Sequence, residues 1–476
     1  MKKRKTRRAS VKAGNKVAGV QAAGVAPAGA PAAPQITFRV PEGARRLPEN
    51  VLRAALVRYI NEHPGDFVPQ DFVTALEPLY RELGYRTRHG DGQSILIVRD
   101  DAAGDVVCFS AFLRECRRLY PKAHITLLIS GRNAGLTECC PYVDERILNT
   151  SLEVDIPQGV PHRELLQTAE FVFRALLPRH FDLAFGQRLG IKGQSSVLMY
   201  LSGARERVSF TQDRLTPAGT VAHLGWDAFL TEACPFVMEP MHDAERSLSI
   251  LEYMTRLRIA DRSLEVWYVP QHAKRAREAL APLYARGMKR IYAVCPGGSI
   301  GMKRWPAERF AAVCHEIMVH EPETGFLLLG GPGDREASAR VASALGDRAI
   351  DLTGEVPYLV SAAALDLAEL YIGDDTSLLH VAAALGKPCL SVNAFAASLP
   401  LAAMSIPVRF APYRVPQVTV VPREARDGCH DSWRHGCSHT DEPHCILGVE
   451  PLTVLRGYGA LRERIEADDR RPFFMR

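Results

Sequence analysis

The sequence of 476 residues contains no run of 18 or more apolar residues, so it offers no candidate for a membrane-spanning helix. Its first 36 residues contain no Asp or Glu. They carry eight of the 59 Lys and Arg residues, which leaves 51 basic against 54 acidic residues in the remainder. The net charge of +5 is therefore a property of this tail, and the rest of the chain is not expected to bind nucleic acid.

The basic tail also lacks what a signal peptide needs. Residues 17–33 are mainly Ala, Gly and Pro without Leu, Ile or Phe, which makes a poor hydrophobic core for export. We expect residues 1–36 to be disordered, and either simply solvated or attracted to anionic lipid as a peripheral contact with the inner membrane. Eleven scattered cysteines, several within apolar runs, are typical of reduced thiols in a cytoplasmic protein.

The length indicates two main domains with extensions, and no internal repeat is visible. Apolar spacing predicts helices over residues 48–63 and 69–83, which form a small helical extension ahead of two α/β domains. A helix is also predicted from Pro451 to about Glu466, and we expect it to cross back to the first domain. The predicted divisions of the chain are 1–36, 37–93, 94–270, 271–422 and 423–476.

The most informative stretch is residues 370–388, LYIGDDTSLLHVAAALGKP. It reads as a buried parallel strand, an acidic turn and a helix that Gly386 and Pro388 stop. A helix whose first amides face the carboxyl ends of parallel strands is a ready anion site. With Asp375 and His380 little more than one turn apart, the stretch indicates a sugar–phosphate ligand.

Two further strand-to-helix crossings lie upstream. Residues 290–310, RIYAVCPGGSIGMKRWPAERF, contain the first, and residues 325–344, GFLLLGGPGDREASARVASA, contain the second. Three consecutive crossings of this kind predict a doubly wound α/β domain.

The N-terminal half carries a related pattern. Residues 94–128, SILIVRDDAAGDVVCFSAFLRECRRLYPKAHITLL, give a strand, a loop ending Gly-Asp-Val, a helix and a Tyr-Pro-x-Ala before the next strand. Taken in order, the motifs over residues 94–391 resemble glycosyltransferase family 9, the bacterial ADP-heptose:lipopolysaccharide heptosyltransferases and their relatives.

The resemblance implies a GT-B-like fold, with two Rossmann-like domains facing a central cleft. It implies an inverting glycosyltransferase that moves a sugar, with heptose from ADP-heptose expected, onto a lipopolysaccharide-type glycan or a protein hydroxyl. Two alternatives stay open: a nucleotide-sugar epimerase or hydrolase on the same fold, or a degenerate protein that binds a nucleotide sugar without catalysis.

Asp105 is the candidate general base, because the Gly-Asp-Val aspartate follows the first strand at the carboxyl edge of the sheet. Its plain alternative is a helix cap, and Asp100 and Asp101 are nearby alternatives for the base. Lys303 is the candidate clamp for the diphosphate, since Lys303-Arg304-Trp305-Pro306 follows the Lys-x-Trp-Pro of the family. No cofactor is required for transfer if this lysine and helix dipoles supply the positive field.

The remaining donor-binding candidates surround that clamp. Asp375 is expected to bind sugar hydroxyls, and His380 to reach back to the phosphates. Asp334 or Glu336 is expected at the ribose hydroxyls, with a capping role as the alternative. Five further residues are expected to meet the diphosphate. They are Gly297, through its backbone amide, and Gly298, Ser299, Thr376 and Ser377. Ser377 departs from the family pattern, which usually has Gly there, as does the stretch 391–396.

The C-terminal segment contains Cys429, Cys437 and Cys445 at C-x7-C-x7-C, among four histidines. Three thiolates and one imidazole, with His439 as the candidate, would satisfy a structural zinc or iron site. The alternative is a loop of reduced thiols or one disulfide.

Overall fold

The structure, a computed structural model, contains two parallel β-sheets with helices on their faces, and this confirms the predicted GT-B-like fold class. The residues that it describes are 47–64, 67–87, 93–149, 162–186, 194–211, 214–215, 221–222, 225–235, 241–395, 406–423 and 444–476.

The first sheet has six parallel strands. Two further short strands in this half of the chain form a separate antiparallel pair. The strands of this half are β1 Ser94–Arg99, β2 His124–Ser130, β3 Glu145–Asn149, β4 Leu183–Gly186, β5 Glu206–Phe210, β6 Arg214–Leu215, β7 Val221–Ala222 and β8 Glu232–Cys234. The helices are α1 Pro48–Glu62, α2 Pro69–Glu82, α3 Ala103–Cys108, α4 Ser110–Leu119, α5 His162–Ala175, α6 Gln194–Leu201 and α7 Asp243–Thr255.

The second sheet has seven parallel strands. They are β9 Arg290–Cys295, β10 Thr324–Leu328, β11 Ala349–Asp351, β12 Leu370–Asp374, β13 Cys389–Val392, β14 Gln417–Val420 and β15 Phe474–Met475. The helices of this half are α8 Pro270–Ala285, α9 Ala307–His320, α10 Arg335–Leu345, α11 Tyr358–Asp366, α12 Ser377–Ala384, α13 Ile406–Arg409, α14 His444–Leu447 and α15 Pro451–Glu466.

The strand order of each sheet reverses at its first strand. The orders are β3-β2-β1-β4-β5-β8 and β11-β10-β9-β12-β13-β14-β15. In open sheets of this kind, ligands bind outside the carboxyl ends of the strands where the order reverses. The loops after β1, β9 and β12 are therefore the expected walls of a site, and these loops carry the motifs that the sequence singles out.

Helices α1 and α2 confirm the predicted helical extension, and they pack on the first domain. Leu52, Leu56 and Phe72 are fully buried in a cluster with α5 and α6. The Tyr80 hydroxyl donates to the carbonyl of Leu201 at 2.9 Å. The extension therefore covers one face of the first sheet, on which the apolar residues of the two helices are buried.

The C-terminal helix α15 is present, but the expectation that it crosses back to the first domain is wrong. It packs on α9, β13 and β14 of the second sheet, with Val454 and Leu461 fully buried. Gly457 allows this approach, because a Cβ there would lie 3.1 Å from the Leu390 side chain. Strand β15 then pairs with β14, so the chain ends on the second domain. Among the described helices, none is long and apolar enough to cross a bilayer.

Candidate active site

A cavity of about 1030 Å³ lies between the two domains at the carboxyl ends of β1, β9 and β12. The first domain contributes residues from Arg99 to Asp105, together with Ser130, Arg132, Asn133 and Asp243. The second domain contributes the loops that follow β9, β10, β11 and β12, and the end of α13. The structure therefore brings the motifs of both halves to one cleft.

Asp105 lies on the wall that the first domain provides. It is the third residue of α3, and its Oδ2 accepts a hydrogen bond from the backbone N–H of Ala102 at 3.2 Å. The capping alternative is thus also realised, since this bond satisfies an orphan amide of the helix. The side chain is 26% exposed and lines the cavity. A carboxylate in this place can both cap the helix and meet a bound hydroxyl.

Burial and the neighbouring charges determine the pKa of Asp105. Burial, helped by the carboxylates of Asp101 and Asp243, raises the pKa of Asp105 to about 6, against the opposing effect of Arg99 and Arg409. A base works best when its pKa lies near the working pH, and enzymes raise carboxyl pKa values by such means. At neutral pH this carboxyl group is mostly ionised and still basic enough to take a proton.

The sequence reasoning missed the ion pairs that surround Asp105. The buried Arg99 lies 3.2 Å from Asp101, 3.2 Å from Asp243 and 3.8 Å from Asp105. Arg409, from the second domain, lies 3.1 Å from Asp243. A charged residue at the end of an otherwise apolar strand was the one signal for Arg99. The sequence offered no signal for Asp243 or Arg409, which are far from Arg99 along the chain.

Lys303 and Asp375 meet on the opposite wall. Lys303 Nζ donates to Asp375 Oδ2 at 2.8 Å, and Nζ lies 5.9 Å from the ring centroid of Phe395. The lysine side chain is 17% exposed and the aspartate 6%. Each group has a partner of opposite charge at the cavity surface, where a ligand that carries phosphate and hydroxyl groups can reach both.

Helix α12 begins at this wall, as the sequence predicts. Thr376 is its N-cap and Ser377 its first residue, and both line the cavity. His380 is buried one turn later, with its Nδ1 3.5 Å from Cys108 Sγ and its ring against Phe410. Burial lowers the pKa of His380 and so favours the neutral imidazole. Neutral, it can donate or accept a hydrogen bond.

Asp374 has a structural role, which the sequence alone could not distinguish from the role of the adjacent Asp375. It is fully buried and accepts hydrogen bonds from the backbone N–H groups of Gly297 and Trp305, each at 3.1 Å. Burial raises the pKa of Asp374, and the two amides oppose that rise. The carboxyl group ties the Lys303 loop to the end of β12.

We expect Asp374→Ala to lower the free energy of unfolding by about 2–4 kcal/mol, because two buried amides would lose their partner. Donor binding should weaken as well, since the Lys303 loop would lose its anchor. Chemical denaturation and calorimetry check both effects. An unchanged unfolding midpoint would show that water or a neighbouring group replaces the carboxylate.

The glycine loop differs from the prediction. The amides of Gly297 and Gly298 do not point freely at the cavity: the first donates to Asp374, and the second donates to Asp334 Oδ1 at 2.9 Å. The other Asp334 oxygen accepts from Gly331 at 2.9 Å. These carboxylates brace the loops at the sheet edge, where the amides would otherwise be unpaired. Asp334 therefore has the role of the capping alternative, and its contact with ribose stays a prediction.

Glu336 is not brought to the cavity. Its side chain is 81% exposed and pairs with Arg340 one turn along α10. Ser299 does line the cavity, and its contact with phosphate stays a prediction. Of the proposed metal ligands, only Cys445 lies within the described residues, on α14. Cys429, Cys437 and His439 lie outside them, so the zinc or iron site stays a prediction.

The arrangement as a whole has the parts that group transfer from a nucleotide needs. One wall holds a carboxyl group with a raised pKa, and the other holds a lysine, an aspartate and a helix N-terminus. The first can take a proton, and the second can balance the charge of a leaving diphosphate.

The family comparison agrees with this geometry. The sequence model of glycosyltransferase family 9 (heptosyltransferase) matches residues 218–419, the segment that contains Lys303, Asp375 and His380. A search of the curated proteins found no match.

Solved structures share the fold. The family 9 glycosyltransferase from Veillonella parvula is 20% identical, with 79% of this chain and 99% of that chain covered and a TM-score of 0.59. The ADP-heptose LPS heptosyltransferase II of E. coli is 16% identical, with 79% and 100% covered and a TM-score of 0.54. Residues 218–419 thus match glycosyltransferase family 9 (heptosyltransferase), and the chain shares the fold of these solved structures.

Proposed function

We propose that this glycosyltransferase transfers heptose from ADP-heptose, with inversion at the anomeric carbon, and that Asp105 is its general base. The acceptor is a hydroxyl of a lipopolysaccharide-type glycan or of a protein. The observation that carries the proposal is the placement of Asp105 across one cavity from Lys303, Asp375 and the start of α12. Asp105 lies outside the segment that the family model matches, so its role is argued from this geometry.

In the proposed reaction, Asp105 takes the proton of the acceptor hydroxyl as its oxygen bonds to the anomeric carbon. The bond from that carbon to the diphosphate breaks on the opposite face, which inverts the configuration. Lys303 and the N-terminus of α12 balance the charge that develops on the diphosphate. Asp375 accepts hydrogen bonds from donor hydroxyls, and its hydrogen bond with Lys303 holds the carboxylate in place. The cleft between the two walls would hold both substrates in line.

The choice of donor follows the description of the matched family as heptosyltransferases. The E. coli structure of the same fold is likewise described as an ADP-heptose LPS heptosyltransferase. The local chemistry supports a nucleoside diphosphate sugar of this kind, because a lysine, a helix N-terminus and a carboxylate converge at one end of the cavity. Ser377 adds a hydroxyl at the helix start, where it can donate to the same diphosphate.

We expect ADP-heptose to stabilise the purified chain against thermal unfolding, and UDP- and GDP-sugars to do so less. At about 100 times the dissociation constant, a ligand adds about 2.7 kcal/mol of stability, which a thermal-shift assay detects easily. Calorimetry then gives the affinity of each donor.

Asp375→Ala is the diagnostic variant, and it should abolish the preference for ADP-heptose over ADP, since it removes the sugar contact, whereas the loss of the Lys303 partner affects both ligands alike. Glu336→Ala is the matched control, because that carboxylate lies on the exposed face of α10 and should leave binding unchanged. Selective binding of a different nucleotide sugar would contradict the heptose assignment. Binding of none would favour the non-catalytic alternative.

A further inference from the structure

Asp243, the first residue of α7, is held between one arginine from each domain. Its Oδ2 accepts a hydrogen bond from Arg99 Nη2 at 3.2 Å, and its Oδ1 accepts one from Arg409 Nη2 at 3.1 Å. The side chains of Asp243 and Arg99 are 7% and 3% exposed, and that of Arg409 is 15% exposed. Next to this contact, Nε2 of His242 lies 2.9 Å from the carbonyl oxygen of Ala411. The start of α7 is therefore a point where the domains touch.

Arg99 lies closer to the main chain of Asp105 than to its side chain. Its Nη2 donates to the Asp105 carbonyl at 2.9 Å, but lies 3.8 Å from the carboxylate Oδ1. The same Nη2 donates to Asp243, and Nη1 lies 3.2 Å from Asp101. The guanidinium thus fastens the backbone of Asp105, while its tighter charge contacts go to the other two carboxylates.

We propose that Asp243 is a positioning residue for Asp105: by holding Arg99, it keeps the guanidinium from forming a tight ion pair with the Asp105 carboxylate. This inference rests on the proposed function, in which that carboxylate takes the proton of the acceptor. A tight pair with arginine would stabilise the ionised form and make Asp105 a weaker base. Because Arg409 holds the other oxygen of Asp243, the arrangement also depends on the contact between the domains.

The charges that face Asp105 act with opposite signs. Burial first, then Asp101 and Asp243, raise the pKa of Asp105, whereas Arg99 and Arg409 lower it. Removal of Asp243 should therefore lower this pKa, and removal of Arg409 should raise it. The groups that act on Asp105 are Arg99 at the end of β1, Asp101 just after it, Asp243 on α7 and Arg409 on α13. Cys108 on α3 also faces Asp105, and beyond it His380 lies 3.5 Å from the Cys108 Sγ.

A carboxyl titration tests this without any acceptor. The full chain is labelled with ¹³C at the aspartate carboxyl carbons, and the Asp105 signal is the one that Asp105→Asn removes. We expect its midpoint near pH 6 in the unaltered chain, since the pKa is raised to about 6. Asp243→Asn should lower the midpoint, and Arg409→Met should raise it, each by about half to one pH unit. Asp182→Asn is the control, because this buried aspartate lies at the other end of β1 and bonds Ser94.

Asp243→Asn removes a negative charge and Arg409→Met removes a positive one, so the inference predicts midpoint shifts of opposite sign. A merely structural role would lower stability in both variants without moving the midpoint in opposite directions. The inference is overturned if the Asp105 midpoint is unchanged in both variants, or moves the same way in both. Failure of the proposed function looks different: the titration would behave as expected, but Asp105→Asn would still turn over ADP-heptose.

Discussion

Asp105→Asn lowers the turnover of ADP-heptose by a factor between about 10² and 10⁴, while the affinity for the donor stays within about twofold. The amide keeps the shape of the carboxyl group, and its oxygen can still accept from the backbone N–H of Ala102, so the start of α3 is preserved. It cannot take a proton from the acceptor. The proposed donor contacts, Lys303 and Asp375, lie on the opposite wall and are untouched. Release of ADP is measured with the acceptor, glycan or protein hydroxyl, that supports turnover by the unaltered chain.

Asp101→Asn is the matched control for this experiment. Asp101 shares Arg99 with Asp105 and lies at the same edge of the sheet, but its side chain is only 9% exposed and is 3.2 Å from the guanidinium. It raises the pKa of Asp105, so its removal should weaken the base without abolishing turnover, by less than about tenfold. If Asp101→Asn is inactive and Asp105→Asn is active, the base has been assigned to the wrong carboxylate.

The fold could be predicted from the sequence because parallel strands bury both faces. The apolar runs that became β1, β9 and β12 are each followed by turn residues and a helix, and this pattern specifies a doubly wound sheet. The same pattern puts the loops after these strands at one edge, and within these loops the resemblance of the motifs to the family singled out Asp105, Lys303 and Asp375. All three line the cavity.

Contacts that join remote parts of the chain could not be predicted. Arg99, Asp243 and Arg409 are spread over more than half of the sequence, and no periodicity links them. Likewise, two adjacent aspartates look alike in the sequence, yet Asp374 is fully buried on backbone amides while Asp375 meets Lys303. The choice between them depends on which side of the strand end faces the core. The domain on which α15 packs also depends on contacts between remote residues, and the composition of the loop before the helix does not reveal them.

Gly104→Ala should lower turnover by about 10²-fold with little loss of stability. Gly104 on α3 faces α12 of the other domain, and a Cβ there would lie 2.7 Å from Cδ2 of His380 and 3.5 Å from the Cα of Ser377. His380 is buried against Cys108 and Phe410, so it has little room to move away. Relief of the overlap requires α3 and α12 to separate, and a misplacement of about 1 Å between reacting groups can reduce the rate about 10²-fold. Asp105 is carried on the same helix.

Gly459→Ala is the matched control, since Gly459 lies within α15 and a Cβ there meets nothing within 4 Å. Alanine in an open helical position should stabilise the chain by about 0.5–1 kcal/mol and leave turnover unchanged. In Gly104→Ala, the donor affinity measured by calorimetry should fall less than turnover, because Lys303 and Asp375 belong to one domain and keep their contact. Full activity in this variant would mean that the two domains do not need this close approach of α3 and α12 for transfer. The cavity would then have to close by another contact, such as the pair of Asp243 with Arg409.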